Sequence, residues 1–289
     1  MSLLPWHTSL AERLERQIEQ DRLPHAILIC GNPGWGEERL AQWLAVRLLG
    51  VDEARPLNSV AHPDLRVVEP DGAVIKVDQI RELNEFAVGK PQAASAKVAV
   101  VARAERMNVN AQNALLKSLE EPPPATHLVL TSGRLGRLLP TIRSRCQQYA
   151  IAVDAALARD WFEGQQGNPE LLDDYGGAPL TALAASEMGE VPLTALLPDA
   201  AGDAGAAVAR VLEQDSVRLA GRWQARMLQH MRGTRPLAIL EAVTPRQQWA
   251  FMDELMWFSR NIESATSQGE KLLVERLLAR WQTLISRTS

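Results

Sequence analysis

No apolar run in this sequence is long enough to cross a bilayer: the longest aliphatic stretch, VAVVA at 98–102, falls far short of the roughly 20 residues a helical span needs. The opening MSLLPWHTSLAERLE lacks a basic region followed by an apolar core, so no secretory signal is expected and a cytoplasmic location is. Cysteine is scarce. Cys30 and Cys146 are too few for a disulfide framework or a four-cysteine zinc site, which fits a reducing compartment. Basic residues are not in excess either; with a formal charge of −4, any affinity for nucleic acid must come from a local patch or a partner. The five histidines, at 7, 25, 62, 127 and 230, show no short metal-ligand spacing.

What is present is an ordinary globular composition, 46% hydrophobic and 23% charged over 289 residues, enough for two or three domains with their own cores. Helical and strand-like signals alternate in the N-terminal half. Ser9-x-x-Glu12 reads as a capping box opening a helix along Leu10, Leu14 and Ile18. HAILIC at 25–30 reads as a buried strand, and Leu40, Trp43, Leu44 and Leu48 as the inner face of a helix ending at Gly50. Further strands are expected at 64–70, 97–102 and 127–132, with helices at 78–88 and 110–121 between them, the pattern of a parallel sheet covered on both faces. After Ile151 the strand signal stops. Three short helices are expected near 154–196, a linker at PDAAGDAGAA (198–207), and then longer amphipathic helices, with Leu273, Leu277, Trp281 and Leu284 on one face. Trp223, Trp249, Trp257 and Trp281 are read as core of that last part.

The chemistry-bearing stretch is GNPGWGEE at 31–38, between the first buried strand and a helix. Gly31 and Gly36 have the separation of a phosphate loop, whose backbone N–H groups and helix N-terminus face an anion while Lys meets the outer phosphates and Ser or Thr holds magnesium. Here Gly31, Gly34 and Gly36 keep the backbone half, but Glu37 and Glu38 stand at the Lys and Ser/Thr positions. One carboxylate about 4 Å from one phosphate charge costs roughly 4 kcal/mol at a near-surface dielectric, nearly a thousandfold in affinity. After KVAVV (97–101), where a phosphate-loop ATPase places an acidic pair, this chain has Ala102 and Arg103. Two independent parts are missing, so neither bound ATP and magnesium nor hydrolysis by this chain is expected. Two alternatives are an ATPase with an unorthodox site and a Rossmann-type dinucleotide enzyme. For the latter the spacing is G-x-x-G-x-G instead of G-x-G-x-x-G, and the acidic Asp52 and Glu53 follow a helix exit instead of a second strand.

LPHAILICGNPGWG, KVDQIREL (76–83), NALLKSLEEPP and TIRSRC (141–146) occur together and in this order. The chain thereby resembles the clamp-loader branch of the AAA+ ATPases, in particular the bacterial DNA polymerase III loader. The resemblance covers about the first 185 residues, including YGGAPLTALA (175–184), and extends more weakly to NIESATSQGEKLLVERLLARW (261–281). It implies an AAA+-like α/β module at 1–152, a helical lid at 153–197 and a helical collar at 198–289. Many relatives carry a four-cysteine zinc module after the first loop helix; GVDEARPLNSVAH (50–62) has no cysteine, so no zinc is expected.

From Pro122 to Val153 there is no Asp or Glu, while Arg134, Arg137, Arg143 and Arg145 fall inside that span. By composition this is either an unpaired positive patch awaiting an anion or a solvated face with internal carboxylate pairs. The resemblance implies that Arg145, the arginine of the SRC motif, enters the ATP site of a neighbouring subunit, with Ser144 shaping the turn and Cys146 packing as a small hydrophobe. Arg134, Arg137 and Arg143 are candidates for phosphate or DNA contacts. Thr131 matches a polar sensor position. The resemblance implies a non-enzymatic, regulatory subunit of a DNA-directed DNA polymerase holoenzyme. Its partners would be the loader's motor ATPase subunits and a clamp-opening delta-type subunit, met through AAA+ and collar domains, with primed DNA and the sliding clamp engaged through the assembly.

Overall fold

The computed structural model describes residues 3–51, 62–198 and 202–286. Asp52, Glu53 and most of the cysteine-free segment at 50–62 lie outside the described residues. The chain divides after Leu157 into two compact units.

The first unit opens with a 3-10 turn at Pro5–His7 and helix α1, Thr8–Glu19. The expected capping box at Ser9 is not formed: the helix starts one residue earlier, and Thr8 Oγ1 donates back to the Pro5 carbonyl. Then come β1 (Ala26–Cys30), α2 (Glu37–Leu49), β2 (Leu65–Val68), α3 (Val77–Val88), β3 (Lys97–Val101), α4 (Val109–Glu120), β4 (Thr126–Ser132), α5 (Pro140–Arg145) and β5 (Gln147–Ala150). All five strands are parallel in the order β2-β3-β4-β1-β5. Every residue of β1 and β3 is buried, as a sheet covered on both faces requires. The sequence reading does not include β5. QQYA carries one buried side chain, Tyr149, and its strand character comes from pairing with β1, Ile27 opposite Gln147 and Cys30 opposite Ala150.

That strand order decides one of the alternatives. A dinucleotide-binding unit pairs its first strand with its second, whereas here β1 lies between β4 and β5. The Rossmann reading is therefore set aside.

The second unit is helical: α6 (Ala155–Gly164) runs into it, followed by α7 (Pro169–Asp174), α8 (Pro179–Glu187), α9 (Leu193–Leu196), α10 (Ala204–Leu212), α11 (Ser216–Met231), α12 (Pro245–Ile262) and α13 (Ser267–Ser286). A small cluster of Phe162, Leu172 and Ala182 forms one core, and a large one around Trp223, Phe251 and Trp281 forms the other. The three rings meet pairwise at 5.3–5.4 Å between centroids. Trp223 and Trp281 are core as expected, but Trp249 is exposed and Trp257 is half-buried beneath the Arg276 guanidinium at 3.9 Å. Helical periodicity had placed all four inside; Trp249 projects from the far side of α12. The expected linker at 198–207 falls partly outside the described residues, and α10 begins within it at Ala204. Among the described residues no helix is long and apolar enough to cross a membrane.

Candidate functional site

In a parallel sheet all C-terminal strand ends share one edge, where open α/β folds place their ligands. The loops leaving β1, β3 and β4 therefore bring residues 31–36, 102–103 and 131–134 together. Gly34 and Gly36 take left-handed backbone angles, φ 86° and 89°, that side-chain-bearing residues rarely adopt, and α2 starts directly afterwards. The loop is held from outside by the N-terminal turn: Trp6 Nε1 donates to the Trp35 carbonyl at 2.9 Å, and His7 Nε2 lies 2.8 Å from the same oxygen.

Glu37 folds into this loop. Its carboxylate Oε1 lies 3.2 Å from where a side-chain carbon on Gly31 would sit, and among the described residues it has no hydrogen-bond partner. Burial pushes its pKa up to about 7; its own N–H and that of Gly36 oppose the shift, while the Glu38 and Glu105 charges add to it. Glu38 points outward and pairs with Arg103 at 3.3 Å, so the two charges neutralise one another. Burial raises the pKa of Glu38 and Arg103 counteracts it. Arg103 holds a left-handed backbone, φ 51°, and its N–H donates to Thr131 Oγ1 at 2.9 Å, which gives the expected sensor residue a local structural partner. Ala102 is buried beside it.

A prediction arises here. A carboxyl whose folded pKa is raised stabilises the fold below its unfolded pKa, near 4.5, and that contribution is lost as pH rises to about 7. Glu37→Gln should match the wild type in urea unfolding at pH 4, below the unfolded pKa. At pH 8 it should be more stable by about 2–3 kcal/mol.

The arginines are not one cluster. Arg134 and Arg137 lie on the connection that leaves the C-terminal edge after β4; both are exposed, and among the described residues neither guanidinium has an ion pair. Arg143 and Arg145 lie on α5, which leads back to the start of β5 at the opposite edge. Arg143 is partly buried, with its Nε unpartnered among the described residues. Arg145 is not the unpaired charge that composition suggested. Its Nη2 contacts Glu120 Oε1 at 2.6 Å and its Nη1 donates to the Thr141 carbonyl at 3.1 Å. The acid-free span begins just after Glu120 and Glu121, so the partner comes from the preceding helix end. Ser144 is exposed, its hydroxyl donating to the Thr141 carbonyl. Cys146 is buried, and burial pushes its thiol up to about 12.

Sequence reasoning missed Gln112. This buried amide donates to the Met107 and Arg137 carbonyls at 3.1 and 3.3 Å and accepts from Leu139 N–H at 2.8 Å, fastening the start of α5 to α4. A polar residue on the inner face of an otherwise apolar helix was the available signal. Gln112→Leu strands those backbone groups and should destabilise the N-terminal unit by about 1–3 kcal/mol in urea unfolding.

Comparison with known proteins adds the following. The profile of the family described as "DNA polymerase III, delta subunit" matches residues 6–155. Subunit delta prime of DNA polymerase III from Pseudomonas aeruginosa is 40% identical over 200 residues, covering 62% of this chain and 60% of that protein. The corresponding subunit from Haemophilus influenzae is 33% identical over 199 residues, 63% and 61% of the two chains. The matched part thus spans about 60% of these relatives' length. A solved structure of a DNA polymerase III gamma subunit-related protein from Thermotoga maritima superposes with a TM-score of 0.57 at 21% identity, over 95% of this chain and 99% of that one. At that identity the likeness speaks for the fold alone: an AAA+-type α/β module followed by a helical region.

Proposed function

The chain belongs to the delta-prime family of DNA polymerase III subunits, and from that premise we propose that it is a non-hydrolysing clamp-loader subunit that lends Arg145 to the ATP site of a neighbour. The observation that carries this reading is the placement of the two features on opposite edges of the sheet. Gln147 pairs with Ile27, four residues before Gly31. At about 3.3 Å per residue, Arg145 and the loop of its own chain are separated by on the order of 15 Å along the strands. An arginine at the N-terminal edge cannot serve a phosphate held at the C-terminal edge of the same sheet, but it can serve one on a chain docked against that edge. Its planar fork suits phosphate oxygens in the transition state.

The chain's own loop is the complementary half of the proposal. Glu37 lies against Gly31, and Glu38 with Arg103 forms an ion pair beside it where the motif of an ATPase would have its magnesium ligands. This chain then binds no ATP, magnesium or zinc. Its partners are the motor subunits and a delta-type subunit of a cytoplasmic loader, and primed DNA and the clamp are engaged through the assembly. Residues 153–197 contribute a lid and residues 198–289 a collar through which subunits meet. Arg134, Arg137 and Arg143 offer phosphate or DNA contacts.

The test is phosphate release. The purified chain should release none from ATP above buffer, and added to the motor subunits of a loader it should raise their DNA-stimulated turnover. Turnover by the chain alone, or no effect on the motor subunits, contradicts the reading.

A further inference from the structure

Arg145 has five N–H donors; among the described residues one Nη1–H is taken by the Thr141 carbonyl, while Nη2 forms an ion pair with Glu120 at 2.6 Å. The Nε–H and further terminal hydrogens remain available for a ligand. Two anchors on different elements fix a planar group more firmly than one. The Thr141 carbonyl belongs to the same short helix, whereas Glu120 ends α4. Gln112 clamps the two helices together at their other end. The pair is partly exposed, its side chains 35% and 49% accessible, so it contributes little to folding and can be removed without unfolding the protein.

We propose that Glu120 is a positioning residue for Arg145: it holds the guanidinium in the orientation that reaches a neighbour's phosphate. The proposal rests on the trans-arginine reading above. An unanchored arginine side chain loses about 0.5–1.5 kcal/mol of rotamer freedom when it docks, and one already held by Glu120 has lost it beforehand. The alternative use of the same contact, a carboxylate that competes with phosphate for Arg145, has the opposite sign and is resolved by the same experiment.

In the reconstituted loader with the full chain, Glu120→Ala should lower ATP turnover about three- to tenfold, in kcat and not in the KM for ATP. Glu120→Gln, which still offers an acceptor oxygen, should recover turnover to within about twofold of wild type. In an Arg145→Ala background Glu120→Ala should change nothing further. In the isolated chain, NMR of the arginine guanidinium nitrogens should show restricted rotation at Arg145 in the wild type and the Gln variant, and faster rotation in the Ala variant, which keeps only the Thr141 contact. Turnover that stays at wild-type level or rises in Glu120→Ala, a Gln variant as slow as the Ala variant, or free rotation in the wild type overturns the proposal. Restricted rotation together with full activity of Arg145→Ala would sink the trans-arginine reading itself while leaving the contact with Glu120 in place.

Discussion

Replacing Arg145 by Ala is expected to lower the ATP turnover of a reconstituted loader by about 10³-fold at the site this residue serves, with the assembly intact on gel filtration. The size follows from where the charge acts. A guanidinium that meets developing negative charge between two subunits, away from water, stabilises the transition state more than the ground state, so the loss appears in kcat. Arg145→Lys should recover little, because an ammonium lacks the planar fork that meets two oxygens at once. The isolated variant should unfold like the wild type, since the pair it loses with Glu120 is half-exposed. Sites whose neighbour supplies its own arginine should be unaffected, so steady-state assays with several active motor subunits will show a smaller drop than a single-turnover measurement at the adjoining site.

The second large effect concerns folding. In the helical unit Arg222 is buried together with two carboxylates: Nη2 contacts Asp174 Oδ2 at 2.9 Å and Nη1 contacts Glu190 Oε2 at 3.0 Å, with side-chain accessibilities of 2%, 3% and 9%. Tyr175 Oη donates to the same Glu190 oxygen at 2.5 Å, and Asp174 also accepts the Leu193 N–H at 2.7 Å. Arg222→Leu leaves Asp174 without its buried cation and Glu190 with only the more exposed Arg218, 2.9 Å away, and should cost about 3–5 kcal/mol in urea unfolding at pH 8. Burial already raises the pKa of Asp174 with Arg222 holding it down, so without the arginine the acid takes up a proton in the folded state more readily. The deficit should therefore shrink as pH falls toward 5. A uniform deficit across that range would mean that lost packing, not a stranded charge, is responsible.

The parallel sheet was legible because β1, β3 and β4 carry uninterrupted aliphatic runs (AILI, VAVV and LVL), and such runs have few other homes. The strand β5 was not, since three of its four side chains are exposed and its conformation is imposed by β1. The departures at Glu37 and Glu38, directly after the 31–36 loop, were legible because each changes a charge. That Glu38 and Arg103 pair was not, because 65 positions separate them and only the sheet order brings the ends of β1 and β3 near one another. Four arginines within twelve residues suggested one patch; α5 runs antiparallel to the strands and carries two of them to the other edge. Trp249 and Trp257 show the limit of periodicity in a helical bundle: spacing identifies a face but not which of two faces meets the core.

The central claim is that this chain's glycine loop holds its own carboxylate where a nucleotide phosphate would lie. Its most direct test is titration of magnesium ATP into the isolated chain, followed by calorimetry and by the indole fluorescence of Trp35, which is buried in the loop with its carbonyl bound by Trp6. No saturable heat or fluorescence change is predicted up to about 1 mM. A saturable transition at micromolar nucleotide, abolished by adding bulk at Gly31 through Gly31→Val, would contradict it.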